Sequence, residues 1–218
     1  MTDEAGAPER SEATIRQAPA RPDAVLQRRG IERVQAILDV AEQILAENGY
    51  EAATLKAIGE RAGIPTASVY HYFSDRYQVD AALVQRHIQA LDTRIRAALN
   101  DKTPVDSLRD AVDAVIDPVL DYFRAHPSAV ELWFALRNEQ FAGLVQSFDD
   151  ATAEQLWRLA LDRGLLRADT PLLVMQVVFA AGNTLLDVAF RRTPITGDDA
   201  TIEEARRLAS SYLESYAA

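Results

Sequence analysis

The chain has 218 residues, enough to bury a core of its own, and carries a formal net charge of -10. It has no cysteine, which excludes disulfides, thiolate metal sites and a cysteine nucleophile. The first 78 residues hold 9 Lys and Arg against 12 Asp and Glu, so most of the excess acid lies further along. That balance disfavours tight non-specific binding to nucleic acid but leaves room for a local basic surface. No apolar run approaches the length needed to cross a bilayer, and the N-terminus lacks the apolar stretch of a signal peptide. The expectation is a cytoplasmic protein with no membrane partner.

Residues 1–27 are rich in Ala, Pro, Glu and Arg without apolar period, and read as a disordered arm. From Gly30 the pattern turns helical, with Ile31, Val34, Ile37, Leu38, Ala41, Ile44 and Leu45 on one face and Asn48-Gly49 as the stop. Thr54 suits the N-cap of a short helix from Leu55 to Ala62. Gly63 is the turn, and a third short helix runs from Pro65 or Thr66 to about Tyr72. Ser74 suits the cap of a long fourth helix carrying Val79, Leu83, Ile88, Leu91, Ile95 and Leu99 on one face.

The remainder predicts helix after helix. Pro104 opens one that ends near His126, with Pro118 expected to kink or break it. Further helices start at Pro127, near Glu139, at Pro171 and near Asp198. The fold class is therefore all-α: a three-helix head at residues 28–75 and a helical-bundle body at 76–218.

The run from Thr54 to Phe73 reads as helix, glycine turn, helix. Leu55, Ile58, Ala62, Ile64 and Val69 supply a shared small core, and Ala57, Gly59 and Ala62 permit close helix approach. Thr66, Ala67, Ser68, Tyr70 and His71 leave mostly short polar groups on the outer side of the second helix, which suits entry into a major groove.

These residues, with the run from Ile37 to Tyr50, Ala62-Gly-Ile64, Tyr70-His-Tyr-Phe73 and Arg76, resemble the tetracycline-repressor family of transcription regulators. The resemblance implies a DNA-binding head, a body that pairs two subunits and binds a small-molecule effector, a palindromic double-stranded operator, and neither cofactor nor metal. It implies that Thr54 and Lys56 touch phosphates, that Thr66, Ala67 and Ser68 lie near base edges, that Tyr70 and His71 reach backbone or bases, and that Arg76 meets phosphate. Pro65 departs from the family's usual Ser or Thr cap, with Thr66 as the alternative cap. Arg28 and Arg29, beside the first helix, add candidate phosphate contacts, whereas Arg10 and Arg16 read as part of a solvated tail.

In the body, the apolar helix after Pro171 and the last helix supply the pairing surface that the resemblance implies. Candidate effector contacts are the ring residues Tyr122, His126, Trp133, Phe134, Phe141, Trp157 and Phe179, with Asn183 as a polar group in an apolar helix. Aromatics at this spacing also suit plain core. No catalytic signature appears: the three histidines fall on separate helices, and neither a phosphate-binding loop nor a zinc motif is present. Repression with release by an inducer is the commonest behaviour in the family. The rival reading is a helical protein-interaction module that has lost DNA binding, suggested by the acidic charge and Pro65.

Overall fold

The computed structural model describes residues 22–100, 105–135 and 139–218, with backbone alone for residues 22–26, 100 and 139–141. Among these residues there are nine α-helices, one 3-10 turn and no strand beyond an isolated bridge between Leu166 and Ala217. The chain divides into two units, Met1–Gln35 and Ala36–Ala218, with the boundary inside the first helix.

Helix α1 spans Pro22–Asn48, so it starts well before the expected position near Gly30. Proline is tolerated in a first turn, and Ala24, Leu26, Gln27, Arg28 and Arg29 are good helix formers. An apolar stripe appears only where a helix is buried, so the periodicity missed this part. The rest of the expected arm, residues 1–21, lies outside the described residues.

Gly49, at φ 78°, ends α1 and leads into the 3-10 turn Tyr50–Ala52. Helix α2 is Leu55–Ala62, and the Thr54 hydroxyl oxygen caps it by accepting from Ala57 N at 3.1 Å. Gly63 turns the chain at φ 64° into α3, Thr66–Tyr72. Gly59 carries the close approach: a Cβ there would stand 3.0 Å from Ile64 O and 3.2 Å from Val69 Cγ2. Thr66 does not cap α3. Pro65 holds the N-cap without a side-chain bond, and its carbonyl accepts from Ser68 N at 2.7 Å and Val69 N at 3.2 Å.

Helix α4, Arg76–Asn100, is capped by Asp75 rather than Ser74. Asp75 Oδ1 accepts from Gln78 N at 3.0 Å, and Gln78 Oε1 accepts from Ser74 N at 2.9 Å. A carboxylate has the advantage over a hydroxyl there because it also meets the positive end of the helix dipole.

The body adds α5 (Leu108–Ala125), α6 (Pro127–Ala135), α7 (Glu139–Asp162), α8 (Leu172–Arg192) and α9 (Asp199–Glu214). Pro104 lies outside the described residues, and α5 starts from a capping box of Ser107 and Asp110. Helix α5 runs unbroken through Pro118. Helix α8 is long and apolar enough by composition to cross a bilayer, which the sequence reading did not expect. Here it packs against α7 and α9, and Asp187 and Asn183 interrupt it with buried and half-buried polar groups. One body core gathers Ile95, Leu99, Val112, Leu156, Met175 and Leu213, and another gathers Leu91, Leu120, Phe123, Leu186 and Phe190.

In the head, Ile37, Leu45, Ile58 and Val69 are fully buried, as is Val79 on α4, and Phe73 at the end of α3 is 6% exposed. Truncating a ring in such a site removes its burial and leaves a void. Phe73→Ala is expected to cost about 3–5 kcal/mol in urea denaturation. A variant that unfolds together with the parent would place Phe73 outside the core.

Candidate nucleic-acid interface and internal cavity

The outward face of α3 is built by burying Val69 and leaving its neighbours in solvent. Ala67 and His71 are exposed, Tyr70 is 53% exposed, and Thr66 and Ser68 are half-buried. A helix of only seven residues can expose two rings this way because its other face is seated on α2. Thr54 and Lys56 stand at the start of α2, both exposed, so they share the head's surface with α3.

Two cations of α2 are paired with carboxylates. Lys56 Nζ lies 3.8 Å from Glu60, and Arg61 forks onto Glu47 at 2.6 and 2.8 Å. Both are solvent-facing pairs that open at little cost. In the unit Met1–Gln35, Arg28 and Arg29 are exposed on α1, and Arg28 meets Glu32 at 3.3 Å.

Arg76 is placed differently from the other candidates. Its guanidinium lies 3.8 Å over the Tyr50 ring, donates to the Tyr50 carbonyl and sits 3.6 Å from Asp80 Oδ1. Tyr50 in turn donates its hydroxyl to Asp80 Oδ2 at 2.7 Å. Asp80 is buried, and burial pushes its carboxyl upward while Tyr50 and Arg76 pull it back. Arg76 therefore ties α4 to the turn between α1 and α2. Tyr50 and Asp80 were not singled out from the sequence, although Arg76 and Asp80 stand four apart on one helix face.

A second clamp joins α4 to α1. Arg86 on α4 donates to Asp39 at 2.7 Å and to Glu42 at 3.2 Å on α1, and Ser128 on α6 donates to Glu42 at 3.2 Å.

Within the body lies a cavity of about 280 Å³, walled by α4, α5, α6, α7 and α8, with Ala209 of α9. Its lining is almost wholly apolar, with Leu91, Ile95, Val115, Phe123, Trp133 and Phe179 among the large contributors. Of the expected contacts, Trp133, Phe179 and Asn183 line it. Tyr122, His126, Phe134 and Trp157 do not. Tyr122 is buried behind the wall, with His126 stacked at 4.2 Å between ring centres. Trp157 donates its indole N–H to Thr170 O at 2.9 Å, and Phe134 packs with Arg191 at 5.9 Å. These rings fill spaces between helices, as aromatics at core spacing commonly do. The Phe141 side chain lies outside the described residues.

Two polar lining residues were missed by sequence reasoning, His87 and Asp149. Their signal was a polar residue interrupting an apolar helical face: His87 between Leu83 and Leu91, and Asp149 between Val145 and Ala153. His87 Nδ1 is 2.6 Å from the Tyr122 hydroxyl, and burial drives the imidazole down to about 4, against the pull of Glu42. Asn183 Nδ2 donates to Asp149 Oδ2 at 2.7 Å. Burial raises the Asp149 carboxyl to about 7, the Asn183 bond opposes this, and Asp150 adds to it.

A carboxyl raised on folding stabilises the protein below its unfolded value and loses that contribution as pH rises through its folded value. Asp149→Asn is therefore expected to gain on the parent as pH rises from about 4 to 8, by up to about 4 kcal/mol. Thermal melts at several pH values check this. A difference that stays flat across the range overturns the burial of Asp149.

Comparison with known proteins matches the two parts of the chain separately. Residues 37–83 match the family described as bacterial regulatory proteins, tetR family, and residues 107–213 match the tetracyclin repressor-like C-terminal domain. A TetR-family transcriptional regulator from Streptomyces coelicolor superposes with a TM-score of 0.61 at 30% identity, covering 85% of this chain and 97% of that one. The transcriptional repressor AcnR of Corynebacterium diphtheriae is 26% identical over 196 residues, 84% of this chain and 92% of AcnR. The transcriptional activator FasR of Mycolicibacterium smegmatis is 35% identical over 89 residues, and the match spans only 40% of its length.

Proposed function

The chain belongs to the tetracycline-repressor family of transcriptional regulators, and on that premise we propose that it is a cytoplasmic homodimeric repressor, released from a palindromic operator when a small molecule fills the body cavity. In this reading residues 28–75 form the DNA-reading head and residues 76–218 the sensing and dimerisation body. Repression is favoured because AcnR, a relative aligned along 92% of its own length, is a repressor.

The observation that carries the reading is the double use of α4. Val84, His87, Ile88, Leu91 and Ile95 of this helix line the cavity, while Arg76, Asp80 and Arg86 grip the head. A molecule that binds one setting of α4 more tightly than another shifts the head between DNA-bound and free populations. Thr66, Ala67, Ser68, Tyr70 and His71 face the bases or nearby backbone. Thr54 and Lys56 at the start of α2, with Arg28 and Arg29 on α1, take phosphates. Arg76 serves as a strut that sets the head rather than as a primary phosphate contact.

A second copy of the chain covers the outer face of α8 and α9. Leu173 on α8 is 64% exposed, and Val177 and Val188 follow it at helical spacing, with Leu208 exposed on α9. Apolar side chains in such a row mark an interaction surface. Pairing two heads sets recognition helices about 34–36 Å apart, one turn of DNA.

Selection of binding sites from random duplex DNA tests the reading. The expected result is a palindrome with half-sites one turn apart. A folded dimer that enriches no sequence at low salt would favour the protein-interaction reading instead. Tyr70→Ala and Lys56→Ala are each expected to weaken operator binding roughly tenfold to a hundredfold, as loss of one contact per subunit should. Lys56→Ala should also flatten the plot of log affinity against log salt by about 2, one phosphate per subunit. Unchanged affinity in both variants rules out this docking. Leu173→Glu should convert the dimer to monomer in sedimentation, and a variant that stays dimeric moves the interface elsewhere.

A further inference from the structure

The polar groups in the cavity wall bear on what it takes, given the reading of that cavity as the effector site. Among the described lining residues these are His87, Asp149 and Asn183. His87 is buried and engaged with Tyr122, so Asp149 and Asn183, both half-buried, are the two with surface to offer. Their register points them inward. On α7, Asp149 falls on one stripe with Ala142, Val145 and Leu156, which line the cavity. On α8, Asn183 falls between Phe179 and Leu186, which line it too. Residues three, four and seven apart share a helix face. Gly182, next to Asn183, also lines the cavity, and a Cβ there would meet nothing within 4 Å. Gly182 thus leaves open the space beside the pair.

Asn183 fixes the carboxyl. Its Nδ2 donates to Asp149 Oδ2 at 2.7 Å, while Asp149 Oδ1 has no hydrogen-bond partner among the described residues. Two turns earlier on α8, Gln176 donates to the adjacent Asp150 at 3.1 Å, so two amides of α8 hold two carboxyls of α7 in register. The Asn183 bond brings no net charge, and Asp150 adds negative charge nearby. The Asp149 carboxylate has therefore lost hydration that its bonded neighbour replaces only in part. A ligand that carries a positively charged N–H donor to Oδ1 supplies both a hydrogen bond and the opposite charge. A hydroxyl supplies the hydrogen bond alone, and a second carboxylate meets repulsion.

We propose that the cavity selects mainly apolar molecules bearing one ammonium group, whose N–H donates to Asp149 Oδ1 while the hydrocarbon part fills the apolar space. Asp149 is the specificity-determining residue, and Asn183 positions it. Apolar wall continues along α8 on both sides of the pair, toward Phe179 in one direction and Leu186 in the other. The hydrocarbon is therefore buried wherever it runs from the charged head, and that burial supplies affinity while Asp149 supplies the choice of head. The volume of about 280 Å³ is at the small end for ligand sites, which suits a medium-length chain or a small ring system.

Calorimetric titration of the full chain tests this with octylamine and decylamine against octan-1-ol, decan-1-ol, octanoate and decanoate at neutral pH, where the amines are protonated and the acids ionised. At least one amine is expected to bind, roughly tenfold or more tightly than its matched alcohol and its matched carboxylate. Asp149→Asn should lower the affinity for that amine roughly tenfold to a hundredfold, and the preference for amine over alcohol should shrink with it. Gly182→Leu, which fills the space beside the pair, should weaken amine and alcohol alike. Circular dichroism melts of each variant separate lost binding from lost fold. If Asp149→Asn fails to fold, the ratios of amine to alcohol and of amine to carboxylate in the parent decide. Alcohols or carboxylates binding as tightly as the amines overturn the proposal, as does a folded Asp149→Asn or Gly182→Leu with parental affinity for the amine, or no binding across the amine series. Operator binding by the parent is measured alongside, with and without amine. If it persists while no amine binds, this proposal fails and the regulator reading stands. If an amine binds as expected and operator affinity stays unchanged, the cavity chemistry stands and its effector role falls.

Discussion

The packing of α4 against the head is the constraint on which the rest of the structure depends. A cation lies over the Tyr50 ring, and its neighbouring carboxylate, Asp80, is buried. Each charge loses hydration at that depth; the other replaces part of it, together with the Tyr50 carbonyl and ring for Arg76 and the Tyr50 hydroxyl for Asp80. The clamp is therefore specific: it holds one relative setting of the 3-10 turn and α4. Arg86 with Asp39 and Glu42 repeats the arrangement two to three turns further along α4. Two clamps on one rigid helix fix the direction in which α2 and α3 point.

The same helix then passes into the body, where its side chains become cavity wall. Filling or emptying a space lined by Leu91 and Ile95 acts on a part of α4 continuous with the clamped part. Close-packed interiors respond to such a change by switching between discrete packings. The cavity wall and the clamps on the head thus share one helix, α4. The polar residues of the cavity face the same accounting as the clamps. The Asp149 carboxyl is tolerated because Asn183 donates to it and because it can hold a proton near neutral pH.

The acidic charge of the chain finds its place in ion-pair networks of the body. Arg206 on α9 is mostly buried between Asp113 and Asp117 of α5, and Arg109 bridges Asp113 to Glu203. These pairs join α5 to α9, adding direction to an otherwise apolar contact.

Residue order alone determined the all-helical class, the succession of helices, the glycine turns at Gly49 and Gly63 and the short polar face of α3. Each of these depends on interactions within a few residues: helical period, left-handed φ, and side-chain size. Cap identity was less legible, because Ser74 and Asp75 both suit the role and geometry chose the carboxylate. The start of α1 was missed because the residues before Gly30 show no apolar period. Only the tertiary structure decided that Arg76 faces Tyr50 and Asp80, that Trp157 bonds to Thr170 instead of lining the cavity, and that Asn183 meets Asp149 in the cavity wall. Those outcomes turn on which helices meet across dozens of residues, and a buried polar group takes its role from the partner brought to it, which local sequence does not contain.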